Sequence, residues 1–422
     1  MQGRHANLPQ AGRPAVSRSL RGLDALNFLM ADVQGGLGPY LTVFLAGQDW
    51  QPGSIGVAMA ASSIAAAICQ IPAGLLVDAA RAKRLIAGVS GALIAAACLM
   101  IAWFPHFVPV IAAQLAIGAA AALVPPTLAS LALGLAGRRR FDATISRNQS
   151  YNHGGNFVAA ALAGALGHYI GILWIFYLIC AFAAASALAT LLINPREIDH
   201  EVARGETEKI GSGSAKPLPI RDLLRRRDLL VFLGAVALFH FGNAAMLPMA
   251  GQMLAHAHPS EATVTLSACI IVAQIVMVGV AWAVGQATAR GIGRKPILLA
   301  AYALLPVRGV LFAFVASSYG VVAIQLLDGV AAGIFGVIAV LIAADLTKGT
   351  GRFNLAQGLV ALCVGVGAGF SNVVGEYAVQ WFGTAAGFLT LAGIAACAFV
   401  FFAALMPETR SRAGTAPAKV AA

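Results

Sequence analysis

Long apolar segments alternate with short polar stretches along the whole chain. Twelve of these segments reach about 20 residues or more, the length that an α-helix needs to cross the hydrocarbon core of a bilayer. The pattern therefore predicts an all-α membrane protein with twelve transmembrane helices. The predicted spans are residues 20–46, 53–77, 84–104, 107–135, 149–170, 172–193, 229–252, 263–287, 296–316, 319–344, 354–379 and 384–406.

The composition agrees with this prediction. Of the 422 residues, 59% are hydrophobic and 11% are charged, whereas a soluble protein would carry roughly twice that charged fraction. Mean hydropathy is +0.81. The N-terminus is polar and basic, with no apolar core before the first span, so we expect no signal peptide. The six cysteines lie inside apolar segments without metal-ligand spacing, and we therefore expect buried thiols, no metal and no cofactor.

Basic residues fall on one side of the predicted membrane. With twelve spans, 27 of the 28 Lys and Arg residues lie in the two tails and in every second loop, and the opposite loops contain none. Because basic loops stay in the cytoplasm, both termini are expected there, in a multi-pass protein of the inner (cytoplasmic) membrane. The net charge of +11 is explained by this topology, so no nucleic-acid partner is expected. The remaining basic residue, Arg308, lies about halfway along the ninth span.

A charged segment divides the twelve spans into two sets of six. It contains Gly, Ser and Pro in its middle, a composition typical of a flexible linker. Paired halves of six spans are a known plan among secondary transporters. The predicted organisation is a cytoplasmic tail at 1–19, an N-terminal six-helix bundle at 20–193, a cytoplasmic linker at 194–227, a C-terminal six-helix bundle at 228–407 and a cytoplasmic tail at 408–422.

The two halves repeat one loop pattern. The stretch "GLLVDAARAKRL" (74–85) follows the second span, and "GQATARGIGRKPIL" (285–298) follows the eighth. Here the chain resembles the major facilitator superfamily, whose pattern is a Gly, three residues, an Asp, and then basic residues with a Gly between them. The first copy lacks that second Gly, and the second copy lacks the acid. The matching residues are Gly74, Asp78, Arg81, Lys83 and Arg84 in the first copy, and Gly293, Arg294 and Lys295 in the second.

This resemblance covers nearly the whole chain and implies both a fold and a gate. It implies two six-helix bundles, a central cavity lined by the first, fourth, seventh and tenth spans, and a monomer. It also implies that the repeated loop clamps the halves on the cytoplasmic side, with Asp78 pairing with a cation of the other half. The alternative for the basic loop residues is that they only satisfy the positive-inside rule. Among family members, the chain is most similar to bacterial efflux transporters.

Polar and ionisable residues occur inside several spans at similar depths. A charge that faces lipid at mid-bilayer costs roughly 3 kcal/mol on insertion scales, so these side chains should face the protein interior or a water-filled cavity. Asp32 lies close to the midplane, and we expect it to carry a coupling proton. The predicted coupling and substrate residues are Asn27, Asp32 and Gln34 in the first span, Gln114 in the fourth, His240 and Asn243 in the seventh, Arg308 in the ninth, and Gln325 and Asp328 in the tenth.

Each of these residues also has a structural interpretation. Amide and imidazole side chains in a bundle often hydrogen-bond a neighbouring helix, which would account for Gln114, Asn243 and His240. Arg308 and Asp328 would then form a static buried ion pair. Alternatively, Arg308 pairs with an acid only when substrate is absent, or it holds an anionic group of the substrate.

The sequence predicts a secondary transporter and not an enzyme. It contains no GxxxxGK[ST] loop, no domain large enough for ATP hydrolysis, and no catalytic or metal constellation at one depth. We expect proton-coupled export of a small organic solute by alternating access, although the fifth span lacks the Gly-Pro pair of the family's drug exporters. The alternatives are proton-driven uptake of a small organic anion and, in a different class, a membrane sensor or assembly factor that does not transport.

Overall fold

The computed structural model is helical throughout the part of the chain that it describes. It describes residues 18–35, 37–137, 140–203, 219–257, 259–315, 317–347, 350 and 352–410. The description does not extend to the side chains at positions 32, 34, 35, 78, 142, 143, 146, 201, 353 and 354. Two of the predicted coupling residues, Asp32 and Gln34, and the predicted gate residue Asp78 therefore have side chains outside the described part.

The described residues contain sixteen α-helices and one short 3-10 helix, Pro195–Glu197. In the N-terminal half they are α1 (Arg18–Gly35), α2 (Leu37–Ala46), α3 (Pro52–Ala79), α4 (Lys83–Trp103), α5 (Phe107–Ala136), α6 (Phe141–Tyr169) and α7 (Leu173–Leu191). Two short helices follow, α8 (His200–Ala203) and α9 (Ile220–Leu223). The C-terminal half contains α10 (Arg227–Asn243), α11 (Met246–Ala257), α12 (Ala262–Ala289), α13 (Arg294–Phe314), α14 (Ser318–Leu346), α15 (Phe353–Phe382) and α16 (Thr384–Leu405).

Ten segments of the described chain are long and apolar enough to cross a membrane. They are α3, α4, α5, α7, α12, α13, α14, α15 and α16, together with the consecutive pair α10 and α11. The other two predicted spans are also helical but fall short in apolar character, because α1 carries four charged residues and the first half of α6 is polar. The all-α membrane fold is confirmed. The helix that contains the fifth predicted span starts at Phe141, eight residues before that span.

The first and seventh predicted spans, which are the first spans of the two halves, each consist of two consecutive helices. α1 ends at Gly35 and α2 begins at Leu37, while α10 ends at Asn243 and α11 begins at Met246, with two residues between them. Pro39 and Pro248 are the third residues of α2 and α11. Proline is tolerated in a first turn because the backbone N–H that it lacks would have no intrahelical partner there. The first span of each half is therefore interrupted in a matching way.

Three hydrophobic clusters hold the helices together. One lies within the N-terminal half and one within the C-terminal half, and the third includes residues of both. The third cluster joins Tyr40 and Val43 of α2 to Met246 and Met249 of α11. Across the two halves α3 packs on α15, α6 on α12 and α2 on α11. We call the end of the molecule where α2 and α11 finish the far end, and the end where α1 and α10 begin the basic end.

Candidate functional site

Four of the predicted polar residues meet in one network in the C-terminal half. Arg308 of α13 places Nη1 2.8 Å from Oδ1 of Asp328 in α14. The same nitrogen donates to Oδ1 of Asn243 at the end of α10. Nη2 of Arg308 donates to Oε1 of Gln325 over 3.0 Å, and Nε2 of Gln325 donates to Oδ2 of Asp328 over 2.9 Å. Arg308 of α13 is thus surrounded by an acid and an amide of α14 and a second amide of α10.

Local sequence explains how these groups converge. Gln325 and Asp328 are three residues apart in α14, so both lie on one helix face. Asn243 is the last residue of α10, at the break before α11. Arg308 follows Pro306 within α13, and its guanidinium also lies over the ring of Phe312, 5.3 Å from the ring centroid. A cation over an aromatic face gains further attraction.

Burial sets the energetics of this network. The side chain of Arg308 is 1% exposed, whereas that of Asp328 is 19% exposed. Removing one partner of a buried ion pair leaves an uncompensated charge and typically costs about 3–5 kcal/mol. The Asp328 side chain is therefore only partly enclosed, whereas that of Arg308 is almost completely buried. The arrangement combines a buried cation with a partly exposed anion.

His240 does not join this network. Its ring lies one turn before Asn243 in α10 and meets the rings of Phe239 and Phe335 edge-on, with centroids 5.3 and 4.9 Å away. Its Nε2 is buried and has no hydrogen-bond partner among the described residues. The contacts agree with the helix-packing interpretation of this histidine.

Gln114 also makes packing contacts. Nε2 of Gln114 in α5 donates to the backbone oxygen of Ala58 in α3 over 3.2 Å, and the side chain is almost fully buried. The amide therefore ties the fourth span to the second within the N-terminal half. It also borders a small cavity of about 140 Å³ together with Ser62 and Ser63.

Asn27 lines a cavity between α1, α5 and α6. Nδ2 of Asn27 donates to the backbone oxygen of Leu23 over 2.8 Å, and the residue is 6% exposed. The cavity has a volume of about 290 Å³ and lies in the part of the bundle nearer the basic end. Its lining is rich in carboxamides and consists of Asn27, Pro125, Leu128, Ala129, Ile145, Asn148, Gln149 and Asn152.

An ion pair beside this cavity was not predicted from the sequence. Nε of Arg147 in α6 lies 2.9 Å from Oδ1 of Asp24 in α1, and the Asp24 side chain is 7% exposed. Asp24 lies within the first predicted span, and Arg147 is one of the basic residues that the predicted topology places in a loop. The available signal was its position: Arg147 precedes the fifth span by two residues, within one turn of the membrane.

The first loop of the predicted gate makes its contacts within the N-terminal half. Lys83 is fully buried, and its Nζ donates to the backbone oxygen of Val77 over 2.6 Å in the last turn of α3. Arg84 donates to the backbone oxygen of Ile193 over 2.9 Å, and Arg81 is exposed. Gly74 faces open space. A clamp between the two halves stays a prediction for these residues.

In the second copy of the loop, the basic residues contact acidic residues from other parts of the chain. Nε of Arg294 lies 3.3 Å from Oδ2 of Asp345 at the end of α14. The Glu408 carboxylate accepts hydrogen bonds from the backbone N–H groups of Arg294 and Lys295, at 2.9 and 3.1 Å. Burial raises the pKa of Glu408, but these bonds and those from the backbone N–H groups of Arg410 and Thr409 outweigh it and hold the pKa below 4.5. The acid that this loop lacks is thus supplied by the segment after α16.

Hydrogen bonds join the two halves toward the far end. Oγ1 of Thr42 donates to the backbone oxygen of Pro248 over 3.1 Å, and the Tyr40 hydroxyl lies 2.6 Å from Oγ of Ser267. At mid-depth, Nδ1 of His153 in α6 lies 3.0 Å from Oε1 of Gln274 in α12. Together with the third hydrophobic cluster, these contacts close the far end of the molecule.

Comparison with known sequences identifies the family. The family model described as Major Facilitator Superfamily matches residues 23–305 and 283–421. Two Mycobacterium tuberculosis proteins, one from each of two strains and each named as an uncharacterized MFS-type transporter, are 42% identical to this chain over 393 residues. The aligned region covers 93% of this chain and 94% of each relative.

Solved structures share the fold at low sequence identity. A mutant of the nucleoside transporter NupG has a TM-score of 0.74 and 14% identity, covering 92% of this chain and 100% of that one. A D-xylose-proton symporter has a TM-score of 0.68 and 14% identity, and the alignment covers 93% of this chain and 97% of the symporter. A POT family transporter solved with a thioalcohol-conjugated peptide has a TM-score of 0.72 and 12% identity. The alignment covers 92% of this chain and 95% of that transporter. The chain belongs to the major facilitator superfamily of membrane transporters, and it is a transporter rather than an enzyme.

Proposed function

We propose that the protein exports a small organic solute across the cytoplasmic membrane in exchange for protons, as a monomer that works by alternating access. The observation that carries this proposal is the network of Arg308 with Asp328, Asn243 and Gln325. It is a buried, polar and partly accessible group of side chains within the membrane. A transporter that had lost its activity would have little reason to keep such a costly arrangement.

The orientation of the molecule follows from charge. Because cytoplasmic loops are enriched in Lys and Arg, we place the basic end in the cytoplasm and the far end outside. The contacts of α2 with α11 and of Thr42 with Pro248 then close the outer side. The carboxamide-lined cavity beside Asn27 lies nearer the cytoplasmic side. This arrangement is consistent with a conformation that faces the cytoplasm, in which the bundles 20–193 and 228–407 would rock about their shared interface.

The ion pair of Arg308 with Asp328 could couple substrate binding to a conformational change. A substrate with a carboxylate or phosphate group would compete with Asp328 for Arg308, and a proton on Asp328 would weaken the pair in the same way. Either event frees α13 from α14 at this depth. Asp32 remains our proposed second proton carrier, because it lies about 21 Å along α1 from Arg18, close to the middle of the membrane.

Transport in proteoliposomes tests this function. We expect purified wild-type protein to move solutes from a panel of organic cations, anions and neutral compounds when a pH gradient is imposed. Asp328→Asn and Asp32→Asn should each abolish gradient-driven flux. Glu261→Gln, which changes an exposed acid at the far end, is the matched control and should transport normally. Gradient-independent flux by the wild type would overturn proton coupling.

Uptake of a small organic anion is the second candidate. It is favoured by Arg308, whose guanidinium is presented by a helix near mid-membrane and has one acid partner in the described ion pairs. The direction of the imposed gradient separates the two possibilities. An importer accumulates labelled anion on the side that protons enter, whereas an exporter accumulates solute on the side that protons leave.

A further inference from the structure

Glu376 lies at the contact between the two halves, and its side chain has no exposure to solvent. It belongs to α15, six residues before the helix ends at the far end, which corresponds to about 9 Å. Its side chain packs on Gly56 of α3. A methyl group on Gly56 would lie 2.6 Å from Cβ of Glu376, closer than real Cβ contacts allow. The aliphatic part of the Glu376 side chain therefore packs directly on a glycine of the opposite half.

The carboxyl group of Glu376 has one neutral partner. Nε2 of Gln252 in α11 donates a hydrogen bond to Oε1. The second oxygen, Oε2, is buried and has no hydrogen-bond partner among the described residues. None of the ion pairs formed within the described part of the chain includes Glu376. An ionised carboxylate buried without a cation costs several kcal/mol, whereas a neutral carboxylic acid needs no counter-charge.

A cavity of about 310 Å³ adjoins the carboxyl group and extends toward the far end. Its titratable neighbour is His256 of α11, which is exposed at the end of that helix. α3 and α16 contribute Pro52 and Thr384, which do not titrate. On α15 itself, Tyr377 packs beside Gly53 of α3. The cavity gives Glu376 a short path to the water at the far end once α3 and α15 separate.

We propose that Glu376 is a proton-binding site that latches the far end of the transporter closed. The protonated acid carries no charge and therefore suits the buried contact between α3 and α15. Loss of that proton creates a charge that requires water, and water reaches Glu376 only when α3 and α15 move apart. The closed state therefore holds the proton more tightly than the open state, and by linkage a rise in pH favours opening of the far end.

This inference rests on the proposed function only in assuming alternating access. It differs from the proposed role of Asp32 in location, because Glu376 lies on the closed side of the membrane and between the halves. It also assigns the site a defined ligand, a single proton from the far side, irrespective of which solute is transported.

Infrared difference spectroscopy on the full-length protein in lipid tests whether the site binds a proton. We expect a carboxylic-acid carbonyl band that shifts in deuterated water and disappears as pH rises. Glu376→Gln, close in shape to the protonated acid, should remove that band, and Glu376→Asp should retain a titrating band. Glu261→Gln is the control, because Glu261 is an exposed acid at the same end, hydrogen-bonded by Ser318. Identical pH-dependent spectra of the wild type and Glu376→Gln would overturn the proposal.

A distance measurement tests whether the proton controls the latch. Spin labels on unnatural amino acids at Gln48 and Ala257 report the separation of the two halves at the far end. We expect a population with a longer distance to grow with pH in the wild type, and Glu376→Gln to keep the short distance at every pH. Equal pH responses in the two proteins would refute the latch. Neither measurement requires transport, so loss of the proposed function and loss of this inference are separable results.

Discussion

Arg308 and Asp328 are neighbours across α13 and α14, with 2.8 Å between Nη1 and Oδ1. The arginine is almost completely buried, and the acid is not. Gln325 and Asn243 bond to both members of the pair, so that the four side chains act as one unit. The stability of the C-terminal half and the response to substrate are both expected to depend on this unit.

Removing one charge of the Arg308–Asp328 pair should lower the free energy of unfolding. Asp328→Asn leaves the Arg308 charge buried without a counter-charge, and we expect a loss of about 3–5 kcal/mol, or somewhat less because Asp328 is partly accessible. The double variant Arg308→Met with Asp328→Leu removes both charges and should recover most of that loss without recovering transport. Thermal unfolding in detergent and proteoliposome flux measure the two effects. A double variant as unstable as the single one would contradict this reasoning.

The close contact of α3 with α15 should make Gly56 sensitive to substitution. Gly56→Ala places a methyl group against Glu376 and the backbone of Asn372, and we expect the closed far end to lose about 1–3 kcal/mol through overpacking. Gly88→Ala in α4 is the matched control. No atom lies within 4 Å of the added methyl group there, so the variant should gain up to about 1 kcal/mol from helix propensity.

Crosslinking between engineered residues at the far end, together with thermal unfolding, distinguishes these two glycine variants. Equal effects of Gly56→Ala and Gly88→Ala would show that the contact carries no special constraint.

Asp24 and Arg147 should be energetically coupled. A double-mutant cycle with Asp24→Asn and Arg147→Gln is expected to give an interaction energy on the order of 1 kcal/mol, because Asp24 is buried but Arg147 is about one-third exposed. Unfolding free energies of the four proteins provide the measurement. An interaction energy of zero would mean that the two charges are solvated independently.

Stability at acid pH should depend on Glu408. Its pKa is lower in the folded protein than the usual 4.5, so its contribution is fully present above that value and is lost as pH falls through the folded pKa. Because Glu408 is exposed, we expect a loss of no more than about 1 kcal/mol. Glu408→Gln should flatten this part of the profile of melting temperature against pH. A variant that keeps the wild-type slope below pH 4.5 would show that the backbone hydrogen bonds do not discriminate between protonation states.

The sequence by itself determined the spans and the character of the site. Apolar length and the placement of Lys and Arg reflect transfer free energies, which depend on each residue and its immediate neighbours. The polar residues of the seventh, ninth and tenth spans can be identified from the sequence for the same reason. Arg308 and Asp328 stood out because a charge in hydrocarbon demands a partner.

Only the tertiary structure decided which partners meet. The rotation of each helix about its axis and the approach of the two halves bring Arg147 to Asp24, Glu408 to Arg294, and Glu376 to Gly56. These pairs are more than 100 residues apart in the chain, so no local pattern links them. The same rotation directs Gln114 and His240 into helix packing rather than into the network. Hydropathy shows that a polar group must be enclosed, but its partner depends on distances between helices that only the packed bundle sets.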